Sequence, residues 1–143
     1  MDLLPIVNKE ATEDIVRTFL DIDFPRYVLK AGSSMVDVKS PSFSSLPPST
    51  KAGNSVEDNM IEHIDAPKIV NAVIDAINRC PDIYKQILRL KFILQLTDEQ
   101  VNARLPYGRA QYYRLKAISM LYFADAFENT EDLHIYEDSE DDT

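Results

Sequence analysis

The sequence predicts an all-α protein made of an N-terminal helix, a flexible linker and a C-terminal helical bundle. Apolar residues recur three and four positions apart over most of the chain, a spacing that places side chains on one face of a helix. No segment alternates apolar and polar residues as a half-buried strand does. Helix caps and turns that contain proline or glycine separate the periodic segments, which indicates several helices rather than one long one.

The composition is that of a globular protein. Its 143 residues are enough for one domain with an appendage. Because 45% of them are apolar, a chain that is disordered throughout is excluded. No run of eighteen apolar residues is present, and the N-terminus has no basic start followed by an apolar stretch. Neither a membrane span nor a secretory signal is therefore expected.

Cysteine and histidine are too few for a disulfide or a zinc centre. Cys80 is the only cysteine, which excludes an intramolecular disulfide and favours a reducing cytoplasm. His63 and His134 lie far apart, so no structural zinc site is expected. The three glycines are dispersed rather than gathered in a phosphate-binding loop. The sequence therefore predicts no metal, no cofactor and no enzymatic activity.

The first predicted helix runs from about Asn8 to Asp21, within an N-terminal segment of residues 1–32. Asn8 is a suitable cap, because its side chain can accept a hydrogen bond from a free backbone amide of the first turn. Apolar residues four positions apart follow it and form one face. Pro25 forbids a simple continuation, because proline disrupts the interior of a helix.

Residues 33–55 form a predicted linker. They contain eight serines, three prolines and a glycine, and few apolar side chains. Too little apolar surface is available to offset the entropy lost on ordering such a segment. We therefore expect a flexible connection or a loosely docked arm.

Residues 56–127 form the predicted C-terminal domain. One helix begins near Val56, and Asp65 with Pro67 starts the next. Pro81 separates it from a helix that is apolar nearly all round, which indicates a central, buried helix. With 72 residues, the domain is near the size at which a core can stand alone, so we expect it to fold by itself. The N-terminal helix could instead pack on it or form a dimer.

The end of this domain has the pattern of a helix-turn-helix. Thr97 and Gln100 form a capping box that opens a short helix, and Pro106-Tyr107-Gly108 indicates a tight turn. A long helix over 108–127 follows, with several basic residues near its start. In this motif the second helix enters the major groove, where its N-terminal side chains reach base edges. The pattern therefore predicts binding to double-stranded DNA.

The charge distribution supports that prediction. The chain carries 15 basic and 24 acidic residues, a net charge of −9. Residues 85–116 nevertheless hold seven basic and two acidic residues, whereas residues 128–143 hold eight acidic and no basic ones. A basic segment beside an acidic tail is typical of nucleic-acid-binding proteins. The tail itself is predicted to be disordered and to aid solubility. Alternatively, it competes with DNA for the basic face around Arg109 and Arg114, or docks on a polymerase surface.

Six residues around the last helix are the predicted DNA contacts. Arginine suits guanine, glutamine suits adenine and lysine suits phosphate, so Arg109 and Gln111 are expected to read bases. One tyrosine of the pair Tyr112 and Tyr113 should pack inward while the other faces DNA. Tyr113 is slightly favoured as the inward one, because small and apolar residues continue its row. The predicted DNA-binding residues are Arg104, Arg109, Gln111, Tyr112, Arg114 and Lys116.

Several segments resemble the ArpU family, which is named after an autolysin regulatory protein. These segments are Ile87–Ile93, Thr97–Val101, Tyr112–Lys116 and Phe123–Ala126. The family consists of small phage regulators of packaging and lysis genes, and its C-terminal domain is similar to region 4 of bacterial sigma factors. The resemblance implies a sigma region-4-like helix-turn-helix and an activator of late phage genes in the cytoplasm of a Gram-positive host. Asn102, Pro106 and Gly108 depart from the usual helix-turn-helix pattern.

Two other functions also fit the sequence. A DNA-recognition subunit of a phage packaging enzyme, similar to a small terminase, would need an oligomerisation region where this chain has an acidic tail. A helical adaptor would bind a protein such as RNA polymerase rather than DNA. The sequence does not decide between a monomer and a homodimer.

Overall fold

The computed structural model describes residues 6–39 and 65–137, and the regular secondary structure within those ranges is helical. The predicted all-α class is confirmed. An isolated antiparallel bridge joins Val7 to Tyr136. None of the helices in the described ranges is long and apolar enough to cross a membrane.

The N-terminal helix begins as predicted but continues beyond Pro25. Helix α1 spans Lys9–Thr18, a π-helical stretch spans Phe19–Asp23 and helix α2 spans Phe24–Lys30. The Asn8 side chain accepts a hydrogen bond from the α1 backbone at 3.0 Å, as a cap should. Pro25 lies in the first turn of α2, just after the widened stretch, where a missing amide hydrogen is tolerated. It therefore excludes a regular α-helix here but not a continuous helical path.

A short helix α3, Met35–Lys39, lies at the start of the predicted linker. Its first turn is closed by Asp37, whose carboxylate accepts hydrogen bonds from the Ser34 amide and hydroxyl. The rest of the linker prediction and the helix predicted at Val56 lie outside the described residues.

The C-terminal part contains the helices predicted from its caps and prolines. They are α4, Ala66–Arg79; α5, Asp82–Leu88, which continues as a π-helical stretch, Arg89–Ile93; α6, Asp98–Ala103; and α7, Arg109–Phe127. Asp65 precedes α4 as predicted, but its side chain makes no capping hydrogen bond. The helix predicted to be central has many buried side chains, which include those of Ile87, Leu88, Phe92 and Ile93.

The N-terminal helices belong to the same hydrophobic core as the C-terminal helices. Helix α1 packs on α7, and α2 packs on α4. The Phe19 ring lies 5.1 Å from the Phe127 ring, and Phe24 is fully buried. The buried residues that α1, α2 and the stretch between them give to this core are Val16, Phe19, Leu20, Phe24 and Val28. Of the two alternatives for the N-terminal helix, packing on the C-terminal domain is the one observed.

The start of the acidic C-terminal segment is docked on the fold, contrary to the predicted disordered tail. The Ile135 amide donates to the Thr12 hydroxyl at 2.9 Å, and the Asn8 amide donates to the Ile135 carbonyl at 2.8 Å. Leu133 is buried in the main core and His134 is buried beside it. Apolar burial and backbone hydrogen bonds offset the cost of ordering this charged segment. Residues 138–143 lie outside the described part of the chain.

Candidate nucleic-acid interface

Helix α6, a turn and helix α7 lie where the sequence predicts the helix-turn-helix. The Thr97 hydroxyl accepts from the Gln100 amide at 3.1 Å, while the Gln100 side chain accepts from the Thr97 amide at 2.9 Å. This capping box confirms the predicted start of α6. Gly108 stands at the N-cap of α7 in an extended conformation, and it offers no side chain to the free amides of the first turn. Those amides remain available to an external acceptor such as a phosphate.

Asn102 stabilises the turn between the two helices. Its side-chain amide donates to the Tyr107 carbonyl at 2.9 Å, across the turn that contains Pro106. The sequence marked Asn102 as a departure from the usual small residue of the motif. The contact gives this departure a structural reason, because it fixes the backbone just before α7 begins.

A small second hydrophobic core lies under the motif and holds α6 between α5 and α7. Its buried members are Ile87, Val101, Leu105 and Tyr112. Each helix of the motif supplies at least one of these side chains, so the short α6 is held by tertiary packing. A helix of six residues would not be stable by itself.

Four of the predicted contact residues are exposed around the start of α7. Arg104 lies just before the turn, whereas Arg109, Gln111 and Arg114 lie in the first two turns of α7. The Arg114 guanidinium donates a hydrogen bond to the Gln111 side-chain oxygen, so these two side chains form one polar unit. The four side chains offer guanidinium and amide groups to a ligand outside the protein.

The choice between the two tyrosines was wrong. Tyr112 is fully buried, whereas Tyr113 is 41% exposed. Tyr112 therefore cannot touch DNA in this arrangement, although it was one of the six predicted contacts. The buried row of α7 runs from Tyr112 through Lys116 and Ser119 to Phe127. Because Lys116 and Ser119 are polar, a search for apolar residues at helical spacing does not find this row.

Lys116 was also predicted to contact phosphate, and the structure places it elsewhere. Its side chain is nearly buried, and its Nζ lies 2.8 Å from Asp98 Oδ1. The same carboxylate oxygen accepts a hydrogen bond from the Tyr112 hydroxyl at 2.8 Å. A second ammonium group, that of Lys91, lies 4.0 Å from that oxygen. The ammonium group of Lys116 is thus paired with the Asp98 carboxylate inside the protein.

The electrostatics of this network follow from burial and from the two hydrogen bonds. Burial by itself would raise the pKa of the Asp98 carboxyl, but the hydrogen bonds from Lys116 and Tyr112 and the nearby ammonium charges outweigh it, so the pKa is lowered. Burial, followed by the hydrogen bond to Asp98, raises the pKa of Tyr112. At neutral pH Asp98 is therefore a carboxylate and Tyr112 a neutral phenol.

Tyr113, which the sequence slightly favoured as the inward tyrosine, is instead an exposed contact candidate. The Arg109 guanidinium carbon lies 5.9 Å from the centre of its ring, and Lys116 Nζ lies 5.6 Å from it. Both distances are within the range of cation–π attraction. An exposed aromatic ring beside two cations can pack on sugars, on a thymine methyl group or on a base.

A second polar cluster lies at the opposite end of α7. The buried His134 ring places Nδ1 2.6 Å from Asp132 Oδ1 and Nε2 2.8 Å from Asp125 Oδ1. Glu128 comes within 3.9 Å of the same ring. This cluster attaches the C-terminal segment to the end of α7 and lies apart from the exposed arginines in sequence and structure.

Comparison with known proteins identifies a relative over almost the whole chain. A protein of Enterococcus hirae named "Putative autolysin regulatory protein ArpU" is 28% identical over 131 residues, which are 90% of this chain and 95% of that protein. A match of this length must include most of the N-terminal helices and the segment predicted to form a helix-turn-helix. No protein-family model matches the chain. No solved structure matches it either.

Proposed function

We propose that the chain, which resembles an ArpU protein over almost its whole length, is a transcriptional regulator of that family that binds specific double-stranded DNA and reads the major groove with α7. The observation that carries this proposal is the surface at the start of α7. Arg109, Gln111, Tyr113 and Arg114 are exposed there, on a helix that is held from behind by α6 and the second core. Their chemistry matches base edges and phosphates, and their position matches that of a recognition helix.

Arginines supply the electrostatic part of this proposed interface. Arg104, Arg109 and Arg114 are exposed, whereas Lys116 is paired with Asp98. Because Arg109 is expected to read a base, the two phosphate contacts of Arg104 and Arg114 would give a slope of about −2 in a plot of log affinity against log salt concentration. A slope near zero would remove the electrostatic basis of DNA binding.

The genes under control are proposed to be late phage or prophage genes for packaging and lysis. This part of the proposal rests on the family resemblance and on the word "regulatory" in the name of the relative. A reporter driven by the bound sequence in a Gram-positive host would test it, and we expect expression to rise when the protein is present. RNA polymerase is the partner that an activator would contact.

Selection of bound duplexes from a randomised DNA library is the decisive experiment. We expect one enriched motif, whose symmetry would also indicate whether one or two copies bind. A library that gives no enrichment would contradict sequence-specific binding and would favour the adaptor function. A native mass measurement would separate these outcomes from a ring-forming packaging protein.

A further inference from the structure

Asp98 joins the two helices of the motif through a single carboxylate oxygen. It is the first residue of α6, and its Oδ1 lies 2.8 Å from both the Tyr112 hydroxyl and Lys116 Nζ. Tyr112 and Lys116 are four residues apart, so they occupy successive turns on one face of α7. One oxygen thus holds two turns of α7 against the start of α6.

The burial of the two partners makes this contact restrictive. Tyr112 has no exposed surface, and Lys116 is about 9% exposed. A nearly buried ammonium group needs a carboxylate, because an unpaired charge in such a site is costly. Rotation of α7 about its axis would separate Lys116 from Asp98, so the pair favours one rotational setting of the helix.

The same network reaches the exposed surface. Lys116 Nζ lies 5.6 Å from the centre of the Tyr113 ring, and the Arg109 guanidinium carbon lies 5.9 Å from the same centre. A series of contacts thus runs from Asp98 to Lys116, from Lys116 to Tyr113 and from Tyr113 to Arg109. These contacts connect a half-buried carboxylate to two side chains at the proposed DNA surface.

We propose that Asp98 is a positioning residue for DNA recognition: it holds Lys116 against Tyr113, fixes the orientation of Tyr113 and Arg109, and withholds the Lys116 charge from DNA phosphates. This inference rests on the proposed function. It assigns sequence selectivity to a residue that need not touch DNA. It also predicts that the lysine nearest to the reading surface does not contribute to the electrostatic attraction of DNA.

Asp98→Asn is the first test, because asparagine keeps the shape and can still accept from the Tyr112 hydroxyl but lacks the charge that holds Lys116. We expect the ratio of affinities for the selected site and for random duplex to fall roughly tenfold. We also expect the salt dependence to steepen by about one unit, because the released lysine becomes an additional phosphate contact. A purely structural defect would weaken both affinities without steepening the salt dependence.

Asp82→Asn is the matched control. Asp82 is the first residue of α5, as Asp98 is of α6, but it is exposed and lies 3.9 Å from Lys85. It shares the favourable position of an acidic residue at a helix start, without a buried partner. We expect no change in selectivity or in salt dependence from this variant. Asp98→Glu keeps the charge and should restore much of the selectivity.

Lys116→Met keeps the test decisive if Asp98→Asn does not fold, because methionine fills a similar volume without a charge. We expect reduced selectivity with an unchanged salt dependence, since Lys116 is withheld from phosphate in the wild-type protein.

A slope that becomes shallower by one unit in Lys116→Met would show that Lys116 contacts phosphate and would overturn the inference. Unchanged selectivity and slope in a folded Asp98→Asn protein would overturn it as well. If the wild-type protein selects no sequence, the proposed function itself fails.

Discussion

Thr12 and Ile135 are 123 positions apart in the chain and are joined by two hydrogen bonds. The Ile135 amide donates to the Thr12 hydroxyl at 2.9 Å, and that hydroxyl donates to the Ile135 carbonyl at 3.5 Å. Thr12 is fully buried, so water does not compete for its hydroxyl. This contact attaches the C-terminal segment to α1, and α1 in turn packs on α7.

Thr12→Val should lower the free energy of unfolding by about 1–2 kcal/mol. Valine has the shape of threonine, but it leaves the Ile135 amide without its acceptor. Thr18→Val, at an exposed position of the same helix, is the control and should change stability by less than about 0.5 kcal/mol. Urea unfolding followed by circular dichroism would measure both, and equal effects would contradict a specific role for Thr12.

Removal of residues 1–39 should abolish cooperative unfolding of the remaining chain. The N-terminal helices supply five buried side chains to the core that α4 and α7 share, including Phe19 and Phe24. Without them, apolar surfaces of α4 and α7 are exposed to water, and the loss of several such contacts exceeds typical domain stability. A cooperative thermal transition of the fragment would show instead that the C-terminal part of the chain folds without the N-terminal helices, as the sequence suggested.

Stability should decrease as the pH rises above the ordinary pKa of histidine. Burial would lower the pKa of His134, but the hydrogen bonds and charges of Asp132 and Asp125 outweigh it, so the pKa is raised. The folded state therefore holds this proton more tightly than the unfolded state, and the added stability is present in full below pH of about 6.5. It is lost as the pH rises through the folded-state pKa.

The groups that face the His134 ring are Asp125 at the end of α7, Glu128 just beyond it, and Asp132 and Tyr136 of the C-terminal segment. His134→Gln removes the proton and should flatten the dependence of unfolding free energy on pH over the range that begins at about pH 6.5. Urea unfolding of both proteins over this range would measure it. If the unfolding free energy of the variant falls with pH as steeply as that of the wild-type protein, another titrating group causes the dependence.

Arg109→Ala should weaken binding to the selected site by about 1–3 kcal/mol and relax preference at one base position, because arginine pairs with two acceptors of guanine. Arg17→Ala is the matched control, since Arg17 is in α1 and pairs with Asp14 at 2.9 Å. Quantitative shift assays on the selected and random duplexes would measure both variants. Equal losses on the two duplexes would mean that Arg109 contacts phosphate rather than a base.

The sequence by itself determined the local structure of the motif. The α6 cap, the turn at Pro106 and the start of α7 depend on residues that are within a few positions of one another. Local spacing also predicted that Arg109, Gln111 and Arg114 are exposed. Their exposure follows from their position in the first turns of a basic helix, just after the turn. The cap of α1 at Asn8 is a local feature of the same kind.

The tertiary structure alone decided which polar residues of α7 face inward. Lys116 is buried because Asp98, eighteen positions earlier, supplies the carboxylate that it needs. Tyr112 is buried because the same carboxylate oxygen accepts a hydrogen bond from its hydroxyl. A periodic apolar pattern cannot detect a charged residue whose partner is on another helix. The docked C-terminal segment is also a result of contacts between residues that are far apart in the chain. Its acidic composition predicts disorder. Leu133, His134 and the contact with Thr12 stabilise it only when it packs on α1 and the end of α7.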